Sequence, residues 1–268
     1  ITQMKKIFLS ALLITTTILG FLSCEKEDTK STSNYQTTNK ETLQRTGSLK
    51  IDENNVGIYH NEMVNYVFED LNNMSPEDIN SKISTSSYTI KKMKEFCSLK
   101  NIDLPTDNEL NSNFINNENT SIETLISNNI FNSEQKNILN ECFNSLNMVN
   151  DDLSKDSDLN LILNNNLNKV KSHSENNGKK IAIAIINQLI ASNELWITQR
   201  KINFLTNNNN VNKGRPSNGQ ILAADAKALG LTLLGGGWTT PIGWCGSMFV
   251  GAGASIGTYM GSPLWWPF

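Results

Sequence analysis

The chain has 268 residues, with 23 Lys or Arg, 26 Asp or Glu and two His, for a formal net charge of −3. Mild acidity without a basic cluster argues against nucleic-acid binding, which needs a positive footprint. Beyond Cys24 the cysteines are Cys97, Cys142 and Cys245, an odd and widely spaced set that argues against a disulfide framework, and no CxxC pair points to zinc.

Residues 4–24 read MKKIFLSALLITTTILGFLSC: two lysines, an apolar run over 7–22, then Ser23 and Cys24. That is an export signal ending at a cysteine. Its apolar run of about 16 residues is short for a membrane span, which needs roughly 20. The segment resembles a bacterial lipoprotein signal peptide with Phe21-Leu22-Ser23-Cys24 as its lipobox, although Phe21 stands where leucine is usual. Ile1 to Gln3 precede the expected start, Met4. The resemblance implies a signal peptide over 1–23, lipidation of Cys24 and attachment to the membrane through that lipid. A transmembrane helix and an ordinary signal peptide are the alternatives. Glu25-Lys26-Glu27-Asp28 is similar to the acidic export tag of Bacteroidetes surface lipoproteins, which implies an outer-membrane, surface-facing protein. A solvated tether would need the same residues.

Cleavage before Cys24 leaves 245 residues with a net charge of −5. Residues 24–49 are Ser, Thr, Asn, Lys and Glu with few large apolar side chains, too polar to offset the entropy of ordering, and read as a disordered tether. Residues 50–202 read as a helical domain. Over 57–73, His60, Val64, Val67 and Leu71 form one buried helical stripe. Ser75-Pro76-Glu77-Asp78 is a strong helix start. Further helices are expected over 89–100, 121–131, 133–153 with Ser133 as cap, 159–171 and 179–201. Cys97 and Cys142 fall on apolar faces as buried small hydrophobes, with one bridge between them as the alternative. No segment reads as a convincing strand. Asn runs, Gly214 and Pro216 make 203–219 a linker.

Residues 220–268 differ in kind. Lys227 is the last charged side chain, and ten of the following 41 residues are glycine. Gly253, Gly257 and Gly261 recur every fourth residue, on one helical face, where small residues let backbones approach. The stretch 242–262 would be about 31 Å long as a helix, close to a bilayer core. Three readings stay open for this glycine-rich module: packing into its own domain, entry into a membrane as a glycine-zipper hairpin, or binding of a protein partner or a second copy.

Three short segments carry a wider resemblance: Gly57-Ile58-Tyr59-His60-Asn61, Ala191-Ser192-Asn193-Glu194-Leu195-Trp196, and Ala224-Asp225-Ala226 before the glycine-rich tail. The chain resembles a group of Bacteroidetes hypothetical lipoproteins with a G-x-x-H-N helix and such a tail. The resemblance implies organisation and origin, and no activity.

His60 and Asp225 are the candidate polar site. His60 lies on the apolar stripe, so a buried, hydrogen-bonded histidine is expected rather than a ligand. Glu62 and Asp70 form an acid pair only in principle. No HExxH, GxSxG, P-loop or GxGxxG motif occurs, so no cofactor, metal site or catalytic set is assigned. The expectation is an all-α multi-helix bundle with a glycine-rich apolar C-terminal helical hairpin. It serves as a non-enzymatic, lipid-anchored binding or interaction protein of the cell envelope. One alternative is a toxin-like or antimicrobial membrane-active protein. A weaker one is an enzyme with a polar cleft around His60.

Overall fold

A computed structural model describes residues 49–72, 86–118, 120–149, 155–201 and 216–260. Cys24, Gly261, the helix start at Ser75 and most of the expected tether and linker lie outside the described residues. Among the described residues there are nine α-helices and no strand, which is the expected all-α bundle. They are α1 (Val56–Asn72), α2 (Ser86–Leu99), α3 (Asp107–Glu118), α4 (Ile122–Ser127), α5 (Ser133–Ser145), α6 (Asp156–Lys171), α7 (Asn177–Lys201), α8 (Asn218–Leu234) and α9 (Pro241–Met260). Short 3-10 turns follow α5 at Leu146–Val149 and precede α9 at Gly237–Thr239.

Local chemistry sets several boundaries. Asn132, not Ser133, caps α5: its side chain accepts from Gln135 N at 2.8 Å, while Gln135 Oε1 accepts from Asn132 N at 3.0 Å. Both residues of the Asn-Ser pair are cap formers, and the Gln three positions beyond Asn132 decides between them. Ser217 and Gln220 repeat the device at α8, so that helix begins inside the stretch expected to be linker. Ser121 caps α4, which ends after six residues where Asn128 turns extended, short of the expected 131. Helix α3 has no apolar period to announce it. It starts on a reciprocal cap in which Glu109 accepts from Thr106 N and Oγ1, each at 2.8 Å, and it seats Leu110 in the core.

The centre of the bundle is α7, which packs on α1, α5, α6 and α8. Its run Ile181 to Ile186 is buried on every side, which explains why it reads as apolar without a period. Helices α1 and α7 run parallel and unusually close. A Cβ at Gly57 would stand 2.8 Å from Ala191 Cβ and 2.8 Å from Asn187 O.

The expected C-terminal hairpin is α8–α9. Its turn passes through Gly236 at φ 108°, a left-handed conformation that side-chain-bearing residues avoid. The two helices pack on each other more extensively than any other pair, and together they cover α7 and α1. Met248, Phe249, Val250 and Ile256 of α9 are fully buried. Over its described residues, 220–260, the module follows the first of the three readings left open and packs into the core. At the far end Phe68 of α1, Trp196 of α7 and Tyr259 of α9 gather, with ring centroids 5.7, 5.5 and 4.7 Å apart.

Candidate functional site

The three segments singled out in the sequence meet at one buried point. Helix α1 brings His60, α7 brings Gln188 and Ser192, and α8 brings Asp225; all four side chains are fully buried. Ser192 Oγ donates to Asp225 Oδ2 at 2.6 Å, and Gln188 Nε2 donates to Oδ1 at 3.0 Å. His60 Nε2 lies 3.0 Å from the same Oδ1, an ion-pair separation without an aligned hydrogen bond. The fourth wall is α9, where a Cβ on Gly251 would come within 3.1 Å of Oδ1.

Asn61 orients the imidazole. Its Nδ2 donates to Ala191 O at 2.7 Å, so its Oδ1 faces His60 Nδ1 at 3.0 Å. That arrangement turns Nε2 toward the Asp225 carboxylate. Gly57, one turn earlier, lets α1 come close enough for both contacts. The G-x-x-H-N segment is thus a packing and positioning unit: glycine for approach, histidine for Asp225, asparagine for the backbone of α7.

The arrangement is unsuited to nucleophilic catalysis. A serine nucleophile needs its proton taken by a base that a third group orients. Here the carboxylate stands between serine and histidine: Ser192 Oγ donates to Asp225 Oδ2, and His60 Nε2 lies against Oδ1. With every member buried, no surface presents the group to a substrate. What it does chemically is tie α7 to α8, the carboxylate accepting from Ser192 Oγ and Gln188 Nε2, with His60 of α1 against it and Gly251 of α9 packed over it. Buried polar groups of this kind penalise alternative packings, because each unpaired member would cost free energy.

The other sequence candidates are placed elsewhere. Glu62 and Asp70 do not pair; Glu62 bonds Lys100 at 2.7 Å and Asp70 bonds Lys92 at 3.2 Å on the α1–α2 surface. His173 lies 3.1 Å from Glu134, and Lys179 reaches Glu175 at 2.6 Å and His173 O at 2.8 Å, fastening the start of α7. Gly253 and Gly257 are buried within α9. Cys97, Cys142 and Cys245 are free and buried. Burial, with Cys245 nearby, pushes the Cys97 thiol up to about 12; burial raises Cys142 to about 12 and Cys245 to about 11. Among the described residues no three His, Cys, Asp or Glu side chains gather as a metal site, and no helix is long and apolar enough to cross a membrane.

Sequence reasoning did not assign Gln188, Ser192 and Gly251 to the site. The first two were detectable as polar residues one helical turn apart just after the apolar run Ile181 to Ile186. Gly251 carries no such signal, since it is one glycine among many. A second concave feature, a groove of about 470 Å³ between the start of α3 and the α8–α9 turn, is lined by Asn108, Ser112, Thr239 and glycine backbone. Ser112 donates to Asn108 O and Thr239 to Gly236 O, so those hydroxyls are engaged within the chain. Comparison of the chain with known protein families, with curated proteins and with solved structures finds no match.

Proposed function

We propose that this is a lipid-anchored protein of the bacterial cell envelope that displays a helical bundle on a polar tether and acts by binding rather than by catalysis. The observation that carries the non-catalytic part is the order of the buried node: Asp225 stands between Ser192 and His60, and all three side chains are fully buried. The residue types that would do chemistry are spent on holding α1, α7, α8 and α9 together. The hairpin's role as core favours this reading over the membrane-active one, because the apolar face of α9 already has its partners in α8 and α1. The anchor rests on the segment ending at Cys24, and the resemblance to Bacteroidetes surface lipoproteins supports outer-membrane attachment with the bundle facing outward.

The test is metabolic labelling with a lipid precursor in a bacterial host that processes lipoproteins. Wild-type protein is expected to carry label and sediment with membranes; Cys24→Ala is expected to lose both. Label retained in Cys24→Ala defeats the anchor. Protease shaving of intact cells then reads the side on which the bundle sits.

A further inference from the structure

We propose that the groove between the start of α3 and the α8–α9 turn binds a small, uncharged, polyhydroxylated molecule, a sugar in chemical class. The proposal supplies a ligand class for the binding role suggested above and rests on that reading; it does not depend on the anchor.

The lining excludes other classes. The groove encloses about 470 Å³, within the range of about 300–1,000 Å³ that takes a small organic ligand. Among its described lining residues Glu109 carries the one charge, and no Lys or Arg lines it. An anion would enter without a counter-charge and against a carboxylate. An apolar chain would cover Pro105 and Ile242 but would strip water from Asn108, Ser112, Asn113 and Thr240 without replacing their hydrogen bonds.

Internal hydrogen bonds fix what the groove still offers. Ser112 Oγ donates to Asn108 O at 2.9 Å and Thr239 Oγ1 donates to Gly236 O at 2.7 Å, so each has spent its proton and keeps lone pairs. Thr240 Oγ1 accepts from Gly243 N at 3.0 Å and keeps its proton. Glu109 takes both bonds from Thr106 on Oε2, which leaves Oε1 to accept. Those bonds hold its carboxyl below the usual carboxylate range, so it is ionised at neutral pH. The side-chain amides of Asn108 and Asn113 make no hydrogen bond among the described residues, and each can donate and accept. Glu109 and Asn113 stand one helical turn apart on α3, which sets an acceptor beside a donor on one wall.

Neighbouring hydroxyls of a sugar each donate and accept, and they match this mixture. An ammonium ion only donates. It would pair with Glu109 and leave the Thr240 hydroxyl and the amide N–H groups unanswered, and a single exposed carboxylate holds a cation weakly. Ile242, 46 % exposed, and Pro105 line the same groove and give the C–H side of a sugar ring an apolar contact.

Saturation-transfer NMR on the full-length chain tests the proposal. The probes are D-glucose, D-galactose and N-acetyl-D-glucosamine, with n-butylamine, acetate and n-butanol as the cationic, anionic and apolar comparators. At least one sugar is expected to receive saturation and the comparators none. Asn113→Ala and Glu109→Gln are each expected to weaken that sugar at least about threefold, the loss of one hydrogen bond, at an unchanged urea midpoint. Asn165→Ala, an exposed asparagine on α6, is expected to change nothing. Asn108→Ala replaces either groove variant whose midpoint moves. No transfer to any sugar overturns the proposal, as does transfer that survives intact in the groove variants. Displacement of the sugar by n-butylamine overturns it in favour of a cation site. New resonances from a chemically altered sugar would sink the non-catalytic reading while upholding the ligand class, and the lipid-labelling result bears on neither.

Discussion

Gly57→Ala should destabilise the bundle although it replaces a poor helix former with the best one. The new methyl would stand 2.8 Å from Ala191 Cβ and 2.8 Å from Asn187 O, separations that packed carbons do not adopt. Neither neighbour can swing aside: one is a Cβ fixed to its backbone, the other is the carbonyl of α7. Helix α1 must therefore lift, at an overpacking cost of about 1–3 kcal/mol. Alanine returns at most about 1 kcal/mol of helix propensity, and less here because Gly57 is the second residue of α1. The net expectation is a loss of about 1–2 kcal/mol. The lift also stretches the 2.7 Å bond from Asn61 to Ala191 O. Urea denaturation followed by tryptophan fluorescence reads the difference as a lower midpoint at unchanged slope. Gly251→Ala is the internal comparison. Its methyl would lie 3.1 Å from a side-chain oxygen, and it sits inside α9 where the propensity return is full, so its cost should be the smaller of the two. Gly57→Ala as stable as wild type, or the reverse ranking, refutes the close-approach account.

Asp225→Ala leaves His60, Ser192 and Gln188 buried without their acceptor, and should cost about 3–5 kcal/mol in the same assay. Ser192→Ala removes one donor to a charged acceptor and should cost about 1.5–3 kcal/mol; an unchanged midpoint would show that the 2.6 Å bond contributes nothing. Asn132→Ala removes the side-chain acceptor of the α5 capping box, leaving the bond from its own N–H to Gln135 Oε1, and should cost about 1 kcal/mol, whereas Ser133→Ala should be near neutral. With thiols raised to about 12, 12 and 11, Cys97, Cys142 and Cys245 stay protonated at neutral pH. A disulfide reagent should modify them only as fast as the bundle opens, and prompt labelling of native protein would show that one is accessible.

Much of this fold is legible because helices advertise their buried faces. The stripe His60, Val64, Val67, Leu71 needed only the 3.6-residue period. The starts of α5 and α8 were missed, because Asn132 rather than Ser133 caps α5 and Ser217 caps α8 from inside the expected linker. Helix α3 escaped because its Asn-rich sequence hides the apolar period, and its start is set by the cap between Thr106 and Glu109. The site was half legible. A histidine on an apolar stripe and a lone aspartate before an uncharged tail are each anomalous, and each anomaly asks for a partner. That they are each other's partners depends on α1, α7, α8 and α9 meeting at one level, which no local pattern encodes. The glycines show the same limit. Regular four-residue spacing drew attention to Gly253, Gly257 and Gly261, yet the close approaches between helices at the node fall on Gly57 and Gly251, which belong to no repeat.

The ring trio at the end of the bundle has a consequence for how the protein is made. Phe68 sits in the first of the described helices and Tyr259 in the last, with Trp196 between them. The native core therefore cannot close until α9 has been synthesised and has reached α1 and α7. Contacts between residues so distant along the chain form slowly, and until then the apolar faces of α1 and α7 stay open. A truncation before α9 therefore yields an uncovered core rather than a smaller protein.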